Sequence, residues 1–145
     1  VDCSIFTSKH IFMKFRNVLV AFILLTGFGS CQKDWAEDWI GVYTGVAGTA
    51  VNRVVVSKVD KKTLKLELQA LYFGNYVTFA TVANAKLSNA TTATVSEDGM
   101  ITGYPDVYHF SGAATLDGNA LTLNGQAQSK TNSSDIKYYP FTGSK

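Results

Sequence analysis

From Trp39 to the end of the chain, apolar residues recur at every second position, and this period of two dictates strands with one buried face. Leu64-Lys65-Leu66-Glu67-Leu68-Gln69-Ala70 shows it most clearly: Leu64, Leu66, Leu68 and Ala70 fall on one side, Lys65, Glu67 and Gln69 on the other. Phe110, Gly112, Ala114 and Leu116 share a face in the same way, as do Leu121, Leu123, Gly125 and Ala127. A helical stripe, which needs apolar residues three and four apart, does not appear in this region.

Residues that tolerate positive φ or bond their own backbone interrupt the alternation. They stand at Asp60-Lys61-Lys62, Phe73-Gly74-Asn75, Ser88-Asn89-Ala90, Glu97-Asp98-Gly99 and Asp117-Gly118-Asn119. The spacing predicts an all-β, antiparallel meander of about eight strands, centred near Val42, Val55, Leu66, Phe79, Val95, Phe110, Leu123 and Tyr139, with Met100 to Gly103 as an extra candidate. The first and last strands, Trp39 to Gly45 and Tyr139 to Gly143, would close the sheet into a small barrel if they pair; a sandwich is the competing architecture. Pro140 has no N–H, so the last strand should pair fully on only one side near it.

Ahead of this domain lies a segment of a different kind. From Met13 the chain reads Lys14-Phe15-Arg16-Asn17, then Val18 to Leu25 without a charge, then Thr26-Gly27-Phe28-Gly29-Ser30-Cys31. A positive end, an apolar stretch and small residues before a cleavage point, in that order, predict a signal-peptide helix over residues 13–30. Its apolar core is shorter than the roughly 20 residues a spanning helix needs. Residues 1–12 precede a leader that is already complete and read as an upstream extension.

Phe28-Gly29-Ser30-Cys31 resembles a lipobox, in which the cysteine is acylated and becomes the new N-terminus. The resemblance implies a membrane anchor through acyl chains on Cys31. The charged stretch from Gln32 to Asp38 is similar to the segment that follows the lipid cysteine in Bacteroidetes lipoproteins, and residues 31–38 read as a polar tether. The domain over residues 39–145 resembles the small lipocalin-like barrels of such lipoproteins, on its opening Trp39-Ile40-Gly41-Val42-Tyr43 and closing Phe141-Thr142-Gly143. That resemblance implies a place in the cell envelope, at the outer membrane, and a barrel interior either filled or holding one small apolar ligand.

Composition narrows the function classes. Hydrophobic residues make up 46% and charged residues 17%, which fits a packed core. Of 13 basic and 11 acidic residues, three and one lie before Cys31, leaving ten of each. A neutral domain without a basic cluster lacks the footprint of nucleic-acid binding. Cys3 and Cys31 are the only cysteines, so the domain from Trp39 onward is expected to stand without a disulfide.

With His109 its single histidine, the domain offers no metal-ligating motif, and no metal or other cofactor is expected. Asp106, His109 and Ser111 superficially supply orienter, base and nucleophile. Alternation with Phe110 and Gly112, however, puts His109 and Ser111 on the outer face or the lumen rim, and a triad needs an oxyanion hole besides. The expectation is a non-enzymatic envelope lipoprotein that binds a small apolar ligand among Leu66, Leu68, Phe79, Phe110 and Leu123. The alternatives are a protein-docking or inhibitor module, using an aromatic patch around Tyr72 to Tyr76, and a hydrolase using His109. Asn89-Ala90-Thr91 and Asn132-Ser133-Ser134 match a glycosylation sequon and are read as turn chemistry.

Overall fold

A computed structural model describes residues 33–46 and 49–145; the leader and Cys31 lie outside the described residues. Eight antiparallel strands close into one barrel in chain order: β1 (Gly41–Gly45), β2 (Arg53–Asp60), β3 (Thr63–Tyr72), β4 (Asn75–Asn89), β5 (Thr92–Met100), β6 (Val107–Asp117), β7 (Ala120–Ser129) and β8 (Ile136–Ser144). One 3-10 turn, Glu37–Trp39, precedes them. All eight expected strand centres fall inside these strands. Met100 to Gly103 is not a further strand: Met100 ends β5, Ile101 makes a single bridge to Ala80, and the chain then turns.

The barrel closes where β1 meets β8, with Thr44 opposite Ser144 and Gly45 opposite Gly143. Phe141 makes this seam possible only with glycine there. A Cβ at Gly45 would sit 2.6 Å from its ring and one at Gly143 only 2.5 Å, so the ring lies across both positions. Pro140 pairs with Asn124 of β7, whereas the β1 ladder reaches only Gly143 and Ser144. The proline thus sits where only one neighbour asks for a ladder bond, as its missing N–H requires.

Inward positions form one continuous apolar core. Val54, Val56, Leu64, Leu66, Leu68, Ala80, Val82, Ala93, Val95, Phe110, Ala114, Leu121, Leu123, Ala127 and Phe141 are buried, while Lys65, Glu67, Thr94, Ser96 and Asn124 point out. That polarity, apolar inside and polar outside, is the reverse of a barrel that spans a membrane with its strands. Among the described residues no helix is long and apolar enough to cross a membrane.

Two expectations are corrected in detail. Glu97-Asp98-Gly99 is not a turn but the end of β5, opposite Phe110, His109 and Tyr108. Cross-strand bonds claim these residues: the Glu97 carboxylate accepts the backbone N–H groups of Ala83 and Asn84, and Asp98 accepts from His109 and Lys130. The turn comes later, over residues 101–106. In β3 the alternation slips after Leu68, where a bulge against β4 buries Gln69 in the place expected of Ala70. Buried Gln69 meets the cost of losing water by accepting from Arg53 Nε (2.6 Å) and donating to Thr78 Oγ1 (3.0 Å).

Candidate functional site

Because the strands alternate in direction, the connections sort onto the two ends of the barrel. The start of β1, the β2–β3, β4–β5 and β6–β7 hairpins and the end of β8 gather at one end, here the tether end. The β1–β2, β3–β4, β5–β6 and β7–β8 connections gather at the other, the rim end.

At the tether end the packed domain begins at Asp34, five residues before the alternation starts. Trp35 and Ala36 donate their backbone N–H groups to the Lys61 carbonyl (3.1 and 3.3 Å), and the 3-10 turn drives Ala36 and Trp39 into full burial. The Trp39 indole donates to the Ala90 carbonyl at 2.8 Å, and the Tyr43 hydroxyl donates to the Trp39 carbonyl at 2.9 Å. This satisfies the polar tips of two rings that the apolar interior would otherwise strand. Charge surrounds the plug. Lys58 pairs with Asp34 and with Glu37 (3.0 Å), Lys62 lies over the Trp35 ring, and Lys145 donates to the carbonyls of Asp38 and Ile40. The two carboxylates hold the Lys58 ammonium above its usual range. Much of the expected tether is therefore structure, leaving Gln32 and Lys33 between Cys31 and the first anchored residue.

The rim end has the opposite chemistry. At the tip of the β3–β4 hairpin Tyr72 pairs with Asn75 across a two-residue turn, Phe73-Gly74, whose φ angles are 48° and 80°. Positive φ at both central positions is the geometry for which Asn-Gly is preferred, because a β-carbon there crowds the backbone. Phe73 occupies it and is 88% exposed. Tyr72, 66% exposed, meets that ring edge to face at 4.6 Å, and Leu71, Tyr76 and Val77 extend the apolar surface down the hairpin. The Arg53 guanidinium, already fixed by Gln69, stacks 3.8 Å from the Tyr76 ring and braces the tip from β2.

Beside the hairpin the rim is closed and ordered. Ile101 is buried under the β5–β6 connection, and Thr102 donates its N–H to the Phe79 carbonyl at 2.8 Å. The Tyr108 hydroxyl donates to Asp135 (2.6 Å), which also pairs with Lys137 (2.7 Å), while Lys137 lies over the Tyr104 ring. Lys137 and then Tyr108 hold the Asp135 carboxyl below its usual range, and the same carboxylate pushes the Tyr108 hydroxyl up. Burial pushes Tyr139, stacked 5.5 Å from Phe79, up to about 12.

Of the five interior candidates, Leu66, Leu68, Phe110 and Leu123 lie in the core and Phe79 is half-buried against it. A gap of about 10 Å³ lies against Leu68, Val82, Val95, Phe110, Leu123 and Tyr139, and also against Ser111, Gly125 and Gln126 of β6 and β7. One water molecule fills such a space.

The residues that suggested a hydrolase are dispersed. His109 Nδ1 lies 2.8 Å from Asp98, on the solvent side of β5 and β6. Asp106 accepts instead from Ser129 (3.0 Å), at the end of β7, and from Thr131 (2.8 Å) in the turn that follows. Ser111 stands opposite Ser96 and Gln126, not in the pair that His109 forms. Among the described residues no group of three His, Cys, Asp or Glu side chains is arranged to hold a metal ion. Both sequons are turns held by their asparagines: Asn89 accepts the Thr91 N–H (2.9 Å) and Asn132 that of Ser134 (3.1 Å). Comparison with protein-family models, with curated proteins and with solved structures finds no match to this chain.

Proposed function

We propose that this chain is a lipid-anchored docking module of the bacterial cell envelope. In this reading acyl chains on Cys31 hold the tether end at the outer membrane, and the Phe73 hairpin seats in a protein partner. The observation that carries it is Phe73 itself. A bulky ring held in solvent, in a backbone conformation that costs on the order of 1 kcal/mol, persists only where something other than folding retains it. The rim offers adjoining apolar surface on Leu71, Tyr72, Tyr76 and Val77, with Arg53 beside it, the residue types enriched where partners bind.

Direction supports the same reading. Three peptide units separate Cys31 from Asp34, a reach of at most about 11 Å. Acylation at Cys31 would therefore bring the charged end to the headgroups and turn the aromatic end away from them. A small apolar ligand between Leu66, Leu68, Phe79, Phe110 and Leu123 would need several hundred Å³ of interior space, and the gap beside Leu68, Phe110 and Leu123 measures about 10 Å³.

The test is site-specific photo-crosslinking in the envelope of the producing organism. A photoreactive phenylalanine at position 73 should yield a discrete covalent adduct with one protein, and the same group at Lys61, on the tether end, should not. Identical adducts from both positions, or none from position 73, would refute docking through the rim. Metabolic labelling with a fatty-acid analogue should mark the wild type and fail to mark Cys31→Ser, and an unlabelled wild type would remove the anchor from the proposal.

A further inference from the structure

We infer that the outer face of β6, β7 and β8 carries a binding site for a neutral saccharide. A groove of about 410 Å³ lies there, lined by Ser111, Gly112, Asn124, Gly125, Gln126, Tyr138 and Pro140. Its volume falls within the range of small-molecule sites.

Register builds the groove. Ser111, Gln126 and Tyr138 align in one row across the three strands, and Ala113, Asn124 and Pro140 in another. Between the rows Gly112 pairs directly with Gly125, so the floor is bare backbone. The close approach is obligatory: a Cβ at Gly112, whose φ is 157°, would collide with the Asn124 carbonyl and lie 2.7 Å from Gly125 Cα. The floor of the depression is thus set by the main chain, and the side chains of Ser111, Asn124, Gln126, Tyr138 and Pro140 form its walls.

The lining selects the ligand by elimination. Tyr138, 65% exposed, and the Pro140 ring offer flat apolar faces. The Asn124 and Gln126 amides and the Ser111 hydroxyl offer donors and acceptors. A purely apolar ligand would leave those groups unsatisfied. An anion would find no cation in the lining. An extended peptide adds at a free strand edge, whereas this groove lies over the face of three strands paired to one another. A pyranose meets all the requirements: its C–H face stacks on the tyrosine ring while vicinal hydroxyls bond the amides. The site is separate from the rim hairpin and stands or falls independently of the docking role.

The test titrates the full 145-residue chain, labelled with nitrogen-15, with maltotetraose, cellotetraose, chitotetraose and the anionic tetragalacturonate. At least one neutral tetrasaccharide should shift the Asn124 and Gln126 side-chain amide signals saturably, with Kd at or below about 1 mM. Tyr138→Ala should weaken that binding by about tenfold or more, and Tyr138→Phe, which keeps the ring, should stay within about threefold. Because Tyr138 is exposed, neither substitution removes core. No shift with any neutral sugar, preference for the anion, or indifference to Tyr138→Ala would overturn the assignment. So would a dimer in sedimentation that Tyr138→Ala dissolves, since it would make a second copy the occupant.

Discussion

The two ends of the barrel use aromatic rings in opposite ways. At the tether end Trp39 is wholly buried, its indole N–H satisfied by Ala90, and the surface around it is charged. At the rim end Phe73 stands in solvent on a turn whose geometry disfavours it, its ring against Tyr72 and with Leu71, Tyr76 and Val77 exposed on the same hairpin. One ring is spent on stability and the other opposes it. A fold that needed only to persist would have no reason for the second, which is why the rim, more than the core, bears on function.

The largest expected effect comes from the ring that stabilises. Trp39→Ala empties the plug and leaves the Ala90 carbonyl without its donor, so the domain should lose about 3–5 kcal/mol in denaturant unfolding. If the loss is under about 1 kcal/mol, the tether end is not part of the cooperative core, and the domain starts at β1 after all. Phe73→Asn should act with the opposite sign. Asparagine suits the first position of this turn, so stability should rise by about 0.5–1 kcal/mol, and an adduct formed from a photoreactive group at position 72 should disappear in the Phe73→Asn background. A destabilised Phe73→Asn would mean that the exposed ring packs usefully on Tyr72, and the argument from strain would fail.

How much of this contrast the sequence reveals depends on the range of the interactions. Alternation is local, so the eight strands, the pairing of the terminal strands implied by their matching signatures, and the turn at Phe73-Gly74-Asn75 are all legible from spacing. The aromatic patch from Tyr72 to Tyr76 is legible for the same reason. Glu97-Asp98-Gly99 has turn chemistry, yet its carboxylates are claimed by residues 83, 84, 109 and 130, which no local pattern reveals. The bulge that buries Gln69 needs Arg53 and Thr78 in place before it is affordable. Whether the interior is filled depends on how eight side-chain rows meet across the lumen, and the groove over Gly112 depends on its register with Gly125. Both are properties of strand pairing and are invisible in either strand alone.

The smallest effect sharpens the comparison at the rim, where the buried and exposed aromatic regions adjoin. Tyr139 is buried beside Phe79, and among the described residues its hydroxyl has no hydrogen-bond partner, unlike that of Tyr108, which Asp135 accepts. Its burial raises the folded-state value from 10.0 to about 12. Between those values the unfolded chain releases the phenolic proton and the folded chain retains it, so stability contributed by Tyr139 is full below pH 10 and is lost as pH rises towards 12. Tyr139→Phe deletes the titrating group while preserving the ring against Phe79. It should change stability at pH 7 by no more than about 1 kcal/mol, in either direction, and flatten the alkaline limb of the stability curve. An unchanged slope of unfolding free energy between pH 10 and 12 would show that Tyr139 ionises like an exposed tyrosine, which requires water to reach the rim-end interior and would reopen that end of the barrel to a ligand.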